Sequence, residues 1–234
     1  MTADKVKQAL KKLANQDKAL ILAGFFKTGV GQYGQGDKFL GITVPAQRLV
    51  AGQFKNLDLK ELDKLLKSPY HEHRLTALLI LVAKFETADQ ADKKKIVDFY
   101  LAHTKFINNW DLVDLTAPKI LGAWLTTKPD DKLLNRLAIS KNLWERRIAV
   151  LASFAFIKQN KFEPTLVLAK KLLKDSHDLM HKAVGWMLRE IGKRDIKVLK
   201  NFLNKWASQM PRTMLRYSLE KFDEATRRYY LNKK

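Results

Sequence analysis

Trp110 and Asp114 stand four positions apart in the stretch FINNWDLVDLTAP, so on a helix they share one face, stacked a turn apart. A carboxylate in such a place is able to take a proton or hold developing positive charge, and an indole face attracts a cation. Asp111, three residues before Asp114, could approach it on the same helix. The plainer alternative is a core aromatic beside a solvated or Arg-paired carboxylate. Trp186 is a second indole, preceded by Gly185 and followed by Arg189. A glycine inside a helix costs about 1 kcal/mol, so it usually has a packing or access reason. Trp186 reads either as core or as a second aromatic wall.

These residues need a scaffold, and the chain repeats itself. Stretches centred on Arg74, Trp110, Arg147 and Lys182 recur at intervals of 36, 37 and 35 residues. That period in amphipathic helical text marks a helical-repeat array, whose concave face presents one side-chain set per repeat. The expected fold is therefore an all-α solenoid, a single helical-repeat domain over residues 1–234 with a basic concave face. Apolar periodicity predicts helices over 71–85, 89–103, 108–124, 142–158 and 177–191, with others before, between and after. Pro45, Pro129-Asp130 and Pro164 punctuate helix starts, as do Ser68-Pro69, Thr87 and Asp175-Ser176. Pro118 falls inside helical text and should kink or restart that helix. Residues 28–43 hold five glycines and read as a loop. The loop contains a literal GxGxxG (Gly29 to Gly34), but helical text precedes it where a dinucleotide fingerprint needs a strand. A segment lying against a phosphate backbone is the better reading, because glycine lets backbone amides approach closely.

Charge narrows the partner. Forty-four Lys and Arg against 24 Asp and Glu leave a formal +20, which favours polyanions. Nucleic acid is the first expectation and an anionic membrane surface the second; a generally basic background is the plain alternative. Arg146 and Arg147 point about 100° apart on a helix, so one of them at most faces the way Asp114 does. Arg74 and Lys182 hold the equivalent repeat positions. Such a column suits phosphate tracking, or equally salt bridging within the array. There is no cysteine, hence no disulfide or thiol chemistry. No signal-peptide pattern and no run of about 18 apolar residues occur, so a soluble, cytoplasmic protein without a membrane partner is expected. His71-Glu72-His73 lacks metalloprotease spacing, and His177 with His181 lacks a clear third ligand, so no metal is expected. No phosphate-cradling P-loop and no nucleophile elbow is present. The basic, aromatic C-terminal text either contacts a nucleic-acid backbone or caps the array.

Taken together, GDKFLGITVPAQR, NWDLVDLTAP, LWERRIAVLASF and HKAVGWMLREIGKRD, in that order, cover nearly the whole chain. In these the sequence resembles the AlkD-like DNA alkylation-repair proteins, monofunctional DNA glycosylases built from HEAT-like repeats. The resemblance implies excision of N3- and N7-alkylated purines from double-stranded DNA, without burying an extruded base. A cationic purine that departs as a neutral base calls for no cofactor, and a groove gripping a duplex works as a monomer. The resemblance places Asp114, Trp110 and Trp186 in the catalytic cleft, with Arg147 beside them. Arg146, Lys182 and Arg189 are the further DNA-contact candidates. Two other expectations stay open: a non-catalytic repeat protein that recognises damaged or structured DNA, and a protein-interaction scaffold.

Overall fold

The computed structural model describes residues 1–233 and is all-α. Among the described residues no strand forms; an isolated parallel bridge pairs Lys38 with Tyr70. No helix among them is long and apolar enough to cross a membrane. The chain divides into two compact units, the first Met1–Thr116 and the second from Ala117 onward.

The first unit runs α1 (Ala3–Lys11), α2 (Gln16–Phe25), α3 (Val44–Gln53), α4 (Leu59–Leu66), α5 (His71–Thr87), α6 (Gln90–Ala102) and α7 (Trp110–Thr116). Its centre is α5, in which every residue from His71 to Val82 is buried. A helix that is hidden all round needs neighbours on all sides. It has them: α3, α4, α6, α7 and α1 all pack against α5. The outer helices are amphipathic as their text demands, α1 burying Ala3, Val6 and Leu10, and α4 burying Leu62, Leu65 and Leu66. By contrast α2 buries none of its residues, and Leu20, Ile21 and Phe25 are exposed.

The second unit contains α8 (Ala123–Thr127), α9 (Asp131–Ala138), α10 (Leu143–Ala152), α11 (Phe154–Lys158), α12 (Glu163–Lys171), α13 (Asp178–Gly192), α14 (Ile196–Trp206), α15 (Arg212–Ser218) and α16 (Glu224–Leu231). Before α8 the chain makes a π-helical turn over Pro118–Gly122, closed by the Gly122 N–H on the Ala117 carbonyl at 2.8 Å. This is the restart that Pro118 calls for, since proline has no N–H to offer the preceding turn. The helix expected over 142–158 also divides, at Ser153, whose hydroxyl turns back to the Val150 carbonyl.

Helix starts follow the expected chemistry in most places. Asp130 caps α9 through the Leu133 amide, and Pro45 and Pro164 lie in the first turns of α3 and α12. Two punctuation marks move. Asp89 rather than Thr87 caps α6, and His177 rather than Ser176 caps α13 through the Leu179 amide. Both are local substitutions of one capping acceptor for another within two residues.

Gly185 has a packing reason. A Cβ there would lie 2.5 Å from the Met214 carbonyl oxygen and 2.6 Å from the Tyr217 Cβ, so α13 and α15 touch backbone to backbone. Gly185→Ala should therefore destabilise the protein by about 1–3 kcal/mol in urea unfolding, despite alanine's better helix propensity. Gly52 in α3 meets nothing within 4 Å, and there the same change should stabilise by up to about 1 kcal/mol. Equal effects at both sites would contradict the close approach.

Candidate functional site

The first turn of α7 is set by its own polar text. Asn109 is buried; its side chain accepts the Trp110 N–H at 2.8 Å and its carbonyl accepts the Val113 N–H at 3.2 Å. Asp111, Leu112 and Val113 turn inward and are buried, whereas Trp110 and Asp114 are half-buried. The helical period thus sorts the two carboxylates. Asp111 turns to α5 and accepts from His71 Nε2 at 2.8 Å. Near Asp114, the buried Tyr100 hydroxyl bonds with Thr116 Oγ1 at 3.0 Å. Burial raises the Tyr100 pKa above its ordinary value, Thr116 offsets part of this and the Asp114 charge adds to it.

Trp110 is not core in the ordinary sense. One face stacks on Phe26 with ring centres 5.3 Å apart, and Phe25 meets the indole in a T-shaped contact at 5.9 Å. Phe25 is 59% exposed, so this aromatic pair lies at the surface. Phe26 in turn packs on Phe39 at 5.2 Å and on His71 at 4.9 Å, and Phe39 stacks on His71 at 4.8 Å.

Behind the aromatic group lies a buried set of charges at the start of α5. Glu72, 1% exposed, accepts the backbone N–H groups of Leu40, Gly41 and Ile42 at 2.9, 2.8 and 3.2 Å. Gly41 has φ 81°, and a Cβ there would sit 2.0 Å from the Asn15 carbonyl oxygen, so no other residue fits. Arg74, 4% exposed, lies with Nη2 2.6 Å from Asp37 Oδ2 and donates through Nη1 to the Ser68 carbonyl at 2.9 Å. The 2.6 Å approach is an ion pair by distance, although its N–H is not aligned for a hydrogen bond. Arg74 is therefore an internal cation, which settles its place in the column of repeat cations: it braces the glycine-rich loop. Asp37 also accepts from Asn108 at 3.0 Å and lies 3.5 Å from His71 Nδ1. Burial alone would raise the Asp37 carboxyl, but His71 and Arg74 hold it below its ordinary value. Burial likewise opposes charge on His71, yet Asp111 and Asp37 prevail and push its pKa up to about 9.

The glycine-rich loop proves to be braced internally. Gln32 and Gln35 accept the Gly29 and Gly31 N–H groups at 3.0 and 2.7 Å, which occupies amides that a phosphate would otherwise use. From Asp37 on, the segment is tied to α5 by the charges just described and by the Lys38 backbone, which exchanges bonds with Pro69 and His71.

In the second unit, Lys182, Trp186 and Arg189 lie along one half-buried face of α13. Lys182 pairs with Asp178 at 2.7 Å, the Trp186 indole N–H donates to Glu190 at 3.1 Å, and Arg189 pairs with Glu220. Arg146 is held by Asp175, 2.7 Å from its Nε, and by the Ser140 and Lys141 carbonyls. Arg147 is 5% exposed and donates to the Leu179 carbonyl at 2.6 Å, at the start of α13. Of the two neighbours, Arg147 is thus the one joined to the helix that carries Trp186. His177 and His181 serve α13 as cap and as a 2.5 Å partner of the Asp175 carbonyl.

Sequence reasoning singled out Trp110 and Asp114 but not the residues gathered behind Trp110: Phe26, Phe39, Asp37, His71 and Glu72. The available signal was HEHR opening an otherwise apolar helix. Four polar residues in text that must be buried require partners elsewhere in the chain.

The sequence pattern of the family described as DNA alkylation repair enzyme matches residues 6–222. No curated protein matches the chain. Among solved structures, one titled "Predicted DNA alkylation repair enzyme from Enterococcus faecalis" superposes with a TM-score of 0.70 at 14% identity, covering 90% of this chain and 97% of that one. That likeness extends to the helical fold.

The histidines of α5 make stability depend on pH in both directions. The raised His71 pKa adds stability that is complete below its ordinary value of 6.5 and is lost as pH rises through about 9. His73, buried and beside Lys7 and Arg74, is pushed down to about 4, so stability is lost as pH falls from 6.5 towards that value. Thermal unfolding should be most resistant near pH 6.5, and His71→Gln should flatten the alkaline decline selectively. An alkaline decline unchanged in that variant would refute the assignment.

Proposed function

Because the chain belongs to the DNA alkylation repair enzyme family, we propose that it is a monofunctional glycosylase acting on N3- and N7-alkylated purines in duplex DNA. A role in repair of alkylated DNA, with DNA as partner, comes with the family. The observation that supports the finer reading is on α7: Asp111 is buried and paired with His71, while Asp114 and Trp110 are the polar and aromatic residues left half-buried on one face.

The chemistry needs little more. Alkylation at N3 or N7 makes the purine a cation that departs as a neutral base, so no acid is required to protonate it. The barrier lies in the deoxyribose, which gains oxocarbenium character. Asp114 stabilises that charge and positions or deprotonates the attacking water. Trp110, held from behind by Phe26, offers an indole face to the cationic base, a contact contributing about 1 kcal/mol or more when desolvated. On the second unit, Trp186 is a further aromatic candidate and Arg147 a candidate phosphate contact. Lys182 and Arg189 add to phosphate attraction, and the net charge of +20 speeds encounter with DNA. The protein acts as a monomer in the cytoplasm on this reading, and no step calls for a cofactor.

Asp114→Asn should slow single-turnover release of N7-methylguanine by about 100-fold or more, while duplex affinity stays within a few-fold. Full release by that variant would sink the mechanism. A wild-type chain that binds methylated duplex and releases nothing would point instead to a non-catalytic DNA-binding protein. Arg147→Gln should weaken binding and lower the salt slope of affinity by about one; an unaltered slope would count against the phosphate contact.

A further inference from the structure

His71 has no part in the chemistry above, yet its side chain touches both the glycine-rich loop and the helix that carries Trp110 and Asp114. Its Nε2 meets Asp111 at 2.8 Å, in the first turn of α7 and next to Trp110. Its Nδ1 faces Asp37, in the glycine-rich loop, at 3.5 Å, an ion-pair distance without an aligned hydrogen bond. Its ring lies against Phe26 and Phe39, at 4.9 and 4.8 Å, and Phe26 is the surface on which Trp110 stacks. We propose that His71, as an imidazolium held by Asp111 and Asp37, is the positioning residue for Trp110. It pins the helix that bears the indole and the aromatic surface that supports it.

The charge is needed for a reason of valence. A neutral imidazole has one N–H and one lone pair. If Nε2 keeps its hydrogen for Asp111, Nδ1 turns a lone pair towards the Asp37 carboxylate, and the loop side of the grip becomes repulsive. If Nδ1 keeps it, the bond to Asp111 is lost and α7 is released. Only the doubly protonated ring holds both. The charged groups that face it are Asp111 from α7, Asp37 from the loop and Arg74 from its own helix. Arg74 opposes the proton, but it is itself engaged by Asp37. A charged ring against the Phe26 and Phe39 rings, 4.9 and 4.8 Å away, also gains cation–π attraction, which a neutral one lacks.

The effect on catalysis rests on the glycosylase reading; the effect on Trp110 does not. The test uses the full chain labelled with 5-fluorotryptophan, the Trp110 resonance being recognised by its loss in Trp110→Phe. In wild-type protein the Trp110 fluorine signal and the His71 ring protons should titrate together with a midpoint of about 9. In Asp111→Asn both midpoints should move to lower pH, and in His71→Gln the fluorine titration should vanish. A Trp110 signal that stays flat from about pH 7 to about pH 10, or whose midpoint departs from that of His71, overturns the proposal without recourse to any variant. For turnover, His71→Gln at neutral pH should lower single-turnover release about tenfold with duplex affinity changed by less than about twofold, the split expected of misplacement. Equal losses in both would assign His71 to binding instead and overturn its positioning role. A wild-type chain that titrates as described but releases no base would end the glycosylase reading and leave this inference standing.

Discussion

Burial of charge at the head of α5 is the constraint on which the first unit depends. His71, Glu72, His73 and Arg74 are all buried, in a helix that has no solvent-facing side over that stretch. An unpaired buried ion costs several kcal/mol, so each must find its complement within the fold. Glu72 finds three backbone N–H groups, Arg74 finds Asp37, and His71 finds two carboxylates. The partners lie 30 to 40 positions away in sequence, so satisfying these charges is also what draws the glycine-rich loop and α7 onto α5. The apolar remainder of α5 supplies most of the cohesion, while these polar contacts specify register.

That arrangement explains how a surface indole comes to be held. Trp110 is not enclosed by a core; it leans on Phe26, which leans on His71 and Phe39. Helical period distinguishes the two carboxylates of α7: the turn that sends Asp111 inward to His71 leaves Asp114 half-buried. Two carboxylates three residues apart therefore differ in setting, one enclosed against His71 and one half-buried.

The basic surplus needs a similar division. Arg74 and Arg146 lie inside or against the protein with carboxylates and carbonyls as partners, and Arg189 pairs with Glu220. Repeat spacing puts cations at equivalent positions in the sequence, but equivalence in sequence did not carry equivalence of role. Arg74 is internal because the loop delivers Asp37 to it, a contact over 37 residues that no local pattern encodes. The attraction of this chain for a polyanion therefore comes from its many exposed lysines and the overall excess of 20 charges more than from an ordered column.

What the sequence by itself determined was whatever depends on short range: the all-helical fold, the repeat period, the restart at Pro118, the Asp130 cap, and the shared helix face of Trp110 and Asp114. These follow from backbone geometry and from spacings of three, four and about 36 residues, which are visible in text. The tertiary structure alone decided that Asp111 turns to His71, that the loop amides of Gly29 and Gly31 are already occupied, that Gly185 marks a contact with α15, and that Phe26 and Phe39 support Trp110. Each of those outcomes depends on which distant group arrives to fill a buried site. The energy of a buried charge or ring is set by neighbours in space, and adjacency in the chain does not report them.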